Sequence, residues 1–153
     1  MSEQRVEKIS YAKTVYGQKE IDAVIECLSE STQMGRYSID FEAAIAGLFA
    51  KKYGLYVNSG SSALHLGVEA FDFPPGSEVI TPALTFGTTV ACIIKNNLIP
   101  AFVDVEPLSY CIDVDQIEKM ISEKTVAIMA PDLLGNICDW VRIREIADKY
   151  DLI

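Results

Sequence analysis

The chain has 153 residues, of which 50% are hydrophobic and 23% charged, which is enough for one globular domain with a buried core. Its 22 acidic residues outnumber its 13 basic residues, and the resulting formal charge of −9 argues against nucleic acid and anionic membranes as partners. The first residues lack the apolar segment of a signal peptide, and Lys95 interrupts the longest apolar stretch, so we expect a cytoplasmic protein without a membrane span.

The four cysteines are widely spaced and form no Cys-x-x-Cys pair. They are Cys27, Cys92, Cys111 and Cys138. Because each lies among apolar neighbours, the sequence predicts buried free thiols in a reducing compartment.

Helical and strand-like hydrophobic patterns alternate along the chain. Two helices are predicted first, over residues 17–31 and 38–54. The elements predicted next are a strand at 55–58, a helix at 61–71, a strand at 79–81, a helix at 88–96, a strand at 100–105, a helix at 114–122, a strand at 125–131 and a helix at 139–150. Continuous apolar strands that alternate with helices indicate an α/β fold with a mostly parallel sheet and helices on both faces.

Charged and polar residues mark the ends of the last two predicted helices. Asp113 with Gln116 has the spacing of a capping box, and Asp139 lies at the start of the final helix. Glu145 and Lys149 are one helical turn apart and are expected to pair. Residues 151–153 look like the first half of another strand, which either closes the domain as a short strand or belongs to a longer one.

The stretch VNSGSSALHLG, residues 57–67, forms the predicted turn between the first sheet strand and its helix. At such a turn the free amides and the positive end of the helix dipole favour an anion. Gly60 allows close approach, and Ser61 and Ser62 add hydroxyl donors, so a phosphate cup is one interpretation. A serine N-cap in a small-residue turn that permits tight packing is the other. The pattern is neither a Walker loop nor a nucleophile elbow.

Phe86 lies at the next strand-to-helix junction, among small and hydroxyl residues. Its ring could cover a flat ligand, or it could pack in the core as aromatic residues usually do. Together the two junctions predict a pocket for a planar, phosphorylated molecule.

Six segments occur in the order and spacing of one known family. They are MGRYSIDFEAAIA, VNSGSSALHLGVEA, GSEVITPALTFGTTVACI, NLIPAFVDVEP, IDVDQIEKMISEKTVAIMAPDLLGN and IREIADKYDLI. From about Tyr16 onward the chain resembles the DegT/DnrJ/EryC1/StrS family of sugar aminotransferases and dehydratases, which use pyridoxal 5'-phosphate (PLP). The resemblance implies part of the large domain of the type I aminotransferase fold, with an N-terminal helical segment at 1–35 and an incomplete PLP-binding domain at 36–153.

The same resemblance assigns site residues. Gly60, Ser61 and Ser62 match the run that holds the cofactor phosphate, and Phe86 matches the aromatic residue that stacks on the pyridine ring. The aspartate that pairs with the pyridine nitrogen, and the Schiff-base lysine or the histidine that replaces it in dehydratases, would follow Ile153. We therefore expect no catalytic residue and no activity from this portion alone.

The implied function of the parent protein is amino transfer to a nucleotide-linked keto sugar from an amino donor, by a homodimer. A PLP-dependent sugar 3-dehydratase and a non-catalytic truncated fragment are the alternatives. Asp132 stands where most family members have the histidine of a His-x-x-Gly turn, and with the following GNICDW it resembles the dehydratase branch slightly more.

Overall fold

The computed structural model describes residues 10, 12–30, 33 and 35–153. Residues 1–9 of the predicted N-terminal segment and Ser31, the end of the first predicted helix, lie outside the described residues. The chain divides into one compact unit that ends at Tyr56 and a second over Val57–Ile153. The domain boundary expected after residue 35 stays a prediction. In the described part of the chain, no helix is both long and apolar enough to cross a membrane.

The first unit contains two helices at the predicted places, α1 (Gln18–Glu30) and α2 (Arg36–Leu48). At the start of α1 the Gly17 N–H donates to the Glu20 carboxylate over 2.6 Å, which satisfies one of the amides that a helix start leaves without an intrahelical acceptor. The apolar positions that predicted α1 are all exposed: Ile21, Val24, Ile25 and Leu28.

The strand predicted at residues 55–58 is wrong, because these residues form no strand. The Tyr56 N–H donates to the Glu42 carboxylate over 2.7 Å and not to the carbonyl of a neighbouring strand. Leu55 is 74% exposed. An apolar extended segment becomes a strand only where a second strand pairs with it, and the sequence pattern does not report that partner.

The second unit contains the sheet, four α-helices and one 3-10 turn of the described chain. Its elements are α3 (Gly60–Glu69), β1 (Glu78–Pro82), α4 (Gly87–Lys95), β2 (Ile99–Val103), α5 (Val114–Met120), β3 (Thr125–Ile128), a short 3-10 turn (Leu133–Gly135) and α6 (Trp140–Lys149). The strands are parallel in the order β2-β1-β3, and Ile80 in the centre is paired with Ala101 on one side and Ile128 on the other. The predicted α/β class is confirmed.

Successive residues of β1 point to opposite faces of the sheet, and each face is covered by helices. Ile80 belongs to one cluster of buried side chains with Ile117 of α5 and Ile143 of α6. Val79 belongs to the other with Ile93 of α4, and residues of α3 pack against it. Full burial of each such side chain contributes about 1.5–3 kcal/mol, so the two clusters hold the helices against the sheet.

The N-cap predicted at Asp113 is present, but it is not a reciprocal capping box. The Asp113 carboxylate accepts the Asp115 N–H over 3.1 Å. The Gln116 side chain donates to that carboxylate, because the Asp113 N–H already donates to the Asp104 carbonyl over 2.9 Å. A backbone hydrogen bond across the connection between β2 and α5 thus replaces half of the capping box.

Two cations on the surface of α6 pair with carboxylates of α5, while Arg144 pairs with Asp148 within α6 itself. Lys149 contacts Glu118 of α5 over 2.9 Å, and not Glu145 one turn away as predicted. Arg142 pairs with Asp115 of α5 in the same way. These side chains are exposed, so each pair contributes little to stability.

The expected start of another strand at residues 151–153 agrees with the backbone bonds on the outer side of β3. The Ile153 N–H donates to the Val126 carbonyl over 3.1 Å, and the Ile153 carbonyl accepts the Ile128 N–H over 2.9 Å. This alternation is the bonding of a parallel ladder.

Three of the cysteines, Cys92, Cys111 and Cys138, are buried free thiols as predicted, and Cys27 is half-buried. Burial in apolar surroundings raises the pKa of Cys138 to about 12. That thiol is therefore protonated at neutral pH and packs as a small apolar side chain.

Candidate functional site

Helices α3 and α4 begin at the same edge of the sheet. Helix α4 follows β1 after four residues, so it begins at the carboxyl end of that strand. Helix α3 leads into the amino end of β1, and the Gly76 N–H there donates to the Asn97 carbonyl just after α4, over 2.8 Å. Both helices therefore run from the carboxyl edge to the amino edge, and their starts lie where ligands bind in parallel α/β sheets.

Ser59 is the N-cap of α3. Its side chain accepts the Ser62 N–H over 3.1 Å, and its carbonyl accepts the Ala63 N–H over 3.0 Å. The interpretation of this turn as a serine cap is therefore confirmed. The cap uses the amides of Ser62 and Ala63, so the amides at the very start of the helix, those of Gly60 and Ser61, remain available.

The Ser62 hydroxyl is also engaged within the turn. It donates to the Asn58 side-chain oxygen over 2.7 Å and accepts a bond from the Ser59 hydroxyl over 3.1 Å. Before it could donate to an anion it would have to leave Asn58. Sequence reasoning missed Asn58, and the signal available was a side-chain amide directly before the serine cap.

Gly60 and Ser61 are unengaged. In the described part of the chain, the Ser61 hydroxyl makes no side-chain hydrogen bond, and a Cβ atom at Gly60 would meet nothing within 4 Å. Gly60 sits in ordinary helical backbone, so neither conformation nor internal packing requires a glycine there. The start of α3 therefore offers two amides and one hydroxyl to open space, a neutral donor set suited to an anion.

Phe86 precedes α4 at its N-cap position and makes no capping bond. Its side chain is 72% exposed, so the alternative of a core aromatic is wrong. The Thr85 hydroxyl donates to the Thr89 hydroxyl over 3.0 Å and steadies this start of α4. Among the described residues no hydrogen bond or ring contact joins Phe86 to residues 58–62, so the structure brings both to one edge without joining them directly.

Thr81, the residue before the end of β1, carries a buried polar atom that sequence reasoning did not identify. Its side chain is fully buried, and its hydroxyl is the buried side-chain oxygen or nitrogen that lacks a hydrogen-bond partner in the described chain. Burying an unbonded hydroxyl costs about 1–3 kcal/mol. Strand β1 therefore carries, near the same edge of the sheet, a polar group that destabilises the fold.

Asp132 follows β3 at this edge and accepts hydrogen bonds from two nearby groups. Its carboxylate accepts the Cys138 N–H over 2.8 Å and the Trp140 indole N–H over 3.0 Å. The bond from Cys138, followed by the bond from Trp140, lowers the pKa of Asp132 below its ordinary value. The carboxylate is therefore charged at neutral pH and bound to its own loop.

Residues 15–153 match the profile of the DegT/DnrJ/EryC1/StrS aminotransferase family. GDP-perosamine synthase of Caulobacter vibrioides is 34% identical over 148 residues, which cover 95% of this chain and 40% of that protein. The lipopolysaccharide biosynthesis protein RfbH of Salmonella typhimurium is 40% identical over 147 residues, which cover 90% of this chain and 34% of that protein.

The fold is similar to a solved structure of the E. coli GDP-4-keto-6-deoxy-D-mannose-3-dehydratase with bound hydrated PLP. The TM-score is 0.86 at 30% identity, and the match covers 93% of this chain and 38% of that chain. The predicted fold, part of the type I aminotransferase large domain, is thereby confirmed. The chain spans 34 to 40% of the length of these relatives. Because the profile covers nearly all of its residues, the chain belongs to the DegT/DnrJ/EryC1/StrS aminotransferase family.

Proposed function

We propose that this chain forms the cofactor-phosphate side of a PLP-dependent enzyme that transfers an amino group to a nucleotide-linked keto sugar. The observation that carries the proposal is the meeting of two helix starts at one sheet edge. One start offers unengaged neutral donors, and the other offers an exposed aromatic ring.

The donors of α3 suit the phosphate of PLP. The amides of Gly60 and Ser61 and the Ser61 hydroxyl bind its oxygens, and the helix dipole adds a favourable charge interaction. The Ser62 hydroxyl becomes a further donor once it turns away from Asn58. The open space beside Gly60 lets the phosphate approach the backbone.

Phe86 covers one face of the pyridine ring and excludes water from it. When bound, PLP supplies the electron sink for bond changes at the carbon that carries nitrogen. The family's Schiff-base lysine and its aspartate at the pyridine nitrogen match no residue of this chain, so we assign no catalytic residue here.

Dehydration is the second candidate reaction. Asp132 departs from the His-x-x-Gly turn, and with the following GNICDW it resembles the dehydratase branch slightly more. The similar E. coli structure is that of a GDP-4-keto-6-deoxy-D-mannose-3-dehydratase with bound hydrated PLP.

The setting of the proposed enzyme follows from its relatives. Their names point to GDP-linked sugars and lipopolysaccharide biosynthesis. We extend the proposal to a cytoplasmic homodimer with a nucleotide-linked sugar and an amino donor as its substrates, within polysaccharide biosynthesis.

The test compares the binding of PLP and of pyridoxal, which lacks the phosphate, by equilibrium dialysis. We expect PLP to bind at least about tenfold more tightly, since charge-assisted hydrogen bonds to the phosphate are lost with pyridoxal. Gly60→Ala should weaken PLP binding because its methyl group fills the open space at the cup.

Gly67→Ala is the matched control. This glycine lies on the same helix, and a Cβ there also meets nothing within 4 Å, but it is two turns from the cup. Equal affinities for PLP and pyridoxal, or equal PLP affinities of the two variants, would contradict the assignment of the phosphate site.

A further inference from the structure

The loop between β3 and α6, residues 129–139, is fixed in shape by bonds from two of its own side chains. Asp132 accepts the Cys138 N–H and the Trp140 indole N–H, which closes the loop on itself. The Asn136 side chain donates to the Ser109 carbonyl over 2.8 Å, which ties the loop to the connection between β2 and α5.

The loop lies at the edge where the proposed site is formed. Strand β3 is the direct neighbour of β1, whose following connection carries Phe86, and the strands are parallel. The two connections therefore leave the sheet side by side. Within the loop Leu134 has φ of 56°, which is an unfavourable backbone conformation for a leucine. Other contacts must therefore hold the loop in this conformation.

The constrained loop leaves two apolar side chains exposed to solvent. Leu134 is 85% exposed and Ile137 is 78% exposed, and both belong to the segment that the Asp132 bonds close. In a loop free to collapse, such side chains would turn inward to bury apolar area. The bonds to Asp132 oppose that collapse.

We propose that Asp132 is a positioning residue of the proposed site, holding residues 133–138 in the shape that borders the bound cofactor and sugar. The inference rests on the proposed function. One carboxylate oxygen accepts both the Cys138 N–H and the Trp140 indole N–H, and the other accepts the same indole N–H over 3.3 Å, so the bonds made by the carboxylate are bonds that hold the loop.

The test measures PLP affinity in three variants of the 153-residue chain. Asp132→Leu removes both acceptors and should weaken PLP binding about fivefold to tenfold, because the bonds to a charged group that hold the loop are lost. Asp132→Asn keeps an oxygen for Cys138 and Trp140 and should restore most of the affinity. Trp140→Phe keeps an aromatic side chain but removes the indole donor, so it tests the same clamp if Asp132→Leu does not fold.

Asp139→Leu is the control for stability. Asp139 caps α6 by accepting the Arg142 N–H over 3.2 Å, but it makes no bond to the clamp. This variant should lose stability and keep the PLP affinity of the unmodified chain. Trp140 is the only tryptophan, so its emission spectrum reports the clamp directly. The spectrum should change in Asp132→Leu and return close to that of the unmodified chain in Asp132→Asn.

The outcomes separate the two proposals. If the unmodified chain binds PLP and Asp132→Leu binds it equally well with a changed emission spectrum, the positioning role is overturned and the proposed function stands. If the unmodified chain does not bind PLP, the proposed function is overturned and the positioning role falls with it. Weakened binding in Asp132→Leu, restored in Asp132→Asn, supports both.

Discussion

Helices α3 and α6 both begin at the carboxyl edge of the sheet, but their first turns differ in charge. Helix α6 is capped by the Asp139 carboxylate, which places a negative charge on the positive end of the helix dipole. Helix α3 is capped by Ser59, which satisfies one amide without adding charge. The N-cap residue therefore decides whether the start of a helix repels an anion, as with Asp139, or can bind one, as with Ser59.

Transferring the carboxylate to α3 should have the largest effect. Ser59→Asp keeps a good N-cap, so the free energy of unfolding should change little. A negative charge beside the phosphate should weaken PLP binding by at least about tenfold, which corresponds to about 1.4 kcal/mol at a charge separation of a few ångströms. Dialysis and urea titration measure the two quantities, and unchanged PLP affinity would contradict the anion site at α3. Ser59→Asn, a neutral cap, is the control.

Removing the caps should separate stability from binding. Asp139→Ala and Ser59→Ala should each lower the free energy of unfolding by about 1 kcal/mol, because each leaves an amide in the first turn of a helix without its side-chain acceptor. PLP affinity should fall only in Ser59→Ala, where the first turn that carries the proposed donors frays. Equal PLP affinities in the two variants would show that the start of α3 has no special role.

Acidification should remove the stability that depends on Asp132. Its folded-state pKa lies below the ordinary value of 3.8, so the charged form stabilises the fold above that value, and the contribution is lost as pH falls through the folded pKa. Urea midpoints between about pH 5 and pH 2 should therefore fall less steeply in Asp132→Asn than in the unmodified chain. Parallel curves would show that the carboxylate is not bonded in solution as it is here.

The smallest effect is expected at Asn58. Asn58→Ala removes the acceptor of the Ser62 hydroxyl. The Ser62 hydroxyl then loses no hydrogen bond when it rotates to donate to a phosphate. PLP binding should become about twofold to threefold tighter, because one neutral hydrogen bond contributes little net free energy. Weaker binding would instead mean that Asn58 itself helps to hold the anion.

Local signals predicted most of the fold. The sequence predicts the caps at Asp113 and Asp139 and the alternation of elements over residues 61–150, because capping and hydrophobic periodicity depend on neighbours in sequence. The strand at 55–58 was wrong because strand pairing is decided by distant residues. The Glu145–Lys149 pair failed for the same reason, since Glu118 on another helix takes the lysine.

The candidate site divides in a similar way. Gly60, Ser61, Ser62 and Phe86 could be named from motif position, and their assignment to PLP stays a prediction. The engagement of Ser62 with Asn58 and of Asp132 with Trp140 could not be read from the sequence, because side-chain partners in a turn depend on its three-dimensional path. Those two contacts now define which donors are free and which loop is fixed.

The most direct measurement is an amide NMR titration of the chain with PLP, and with pyridoxal as the control. We expect the Gly60 and Ser61 amide resonances at the start of α3 to shift with PLP and not with pyridoxal, while those of Val141 and Arg142 in the first turn of α6 stay in place. Shifts that are absent at Gly60 and Ser61, or that are equal for PLP and pyridoxal, would contradict the phosphate site at α3.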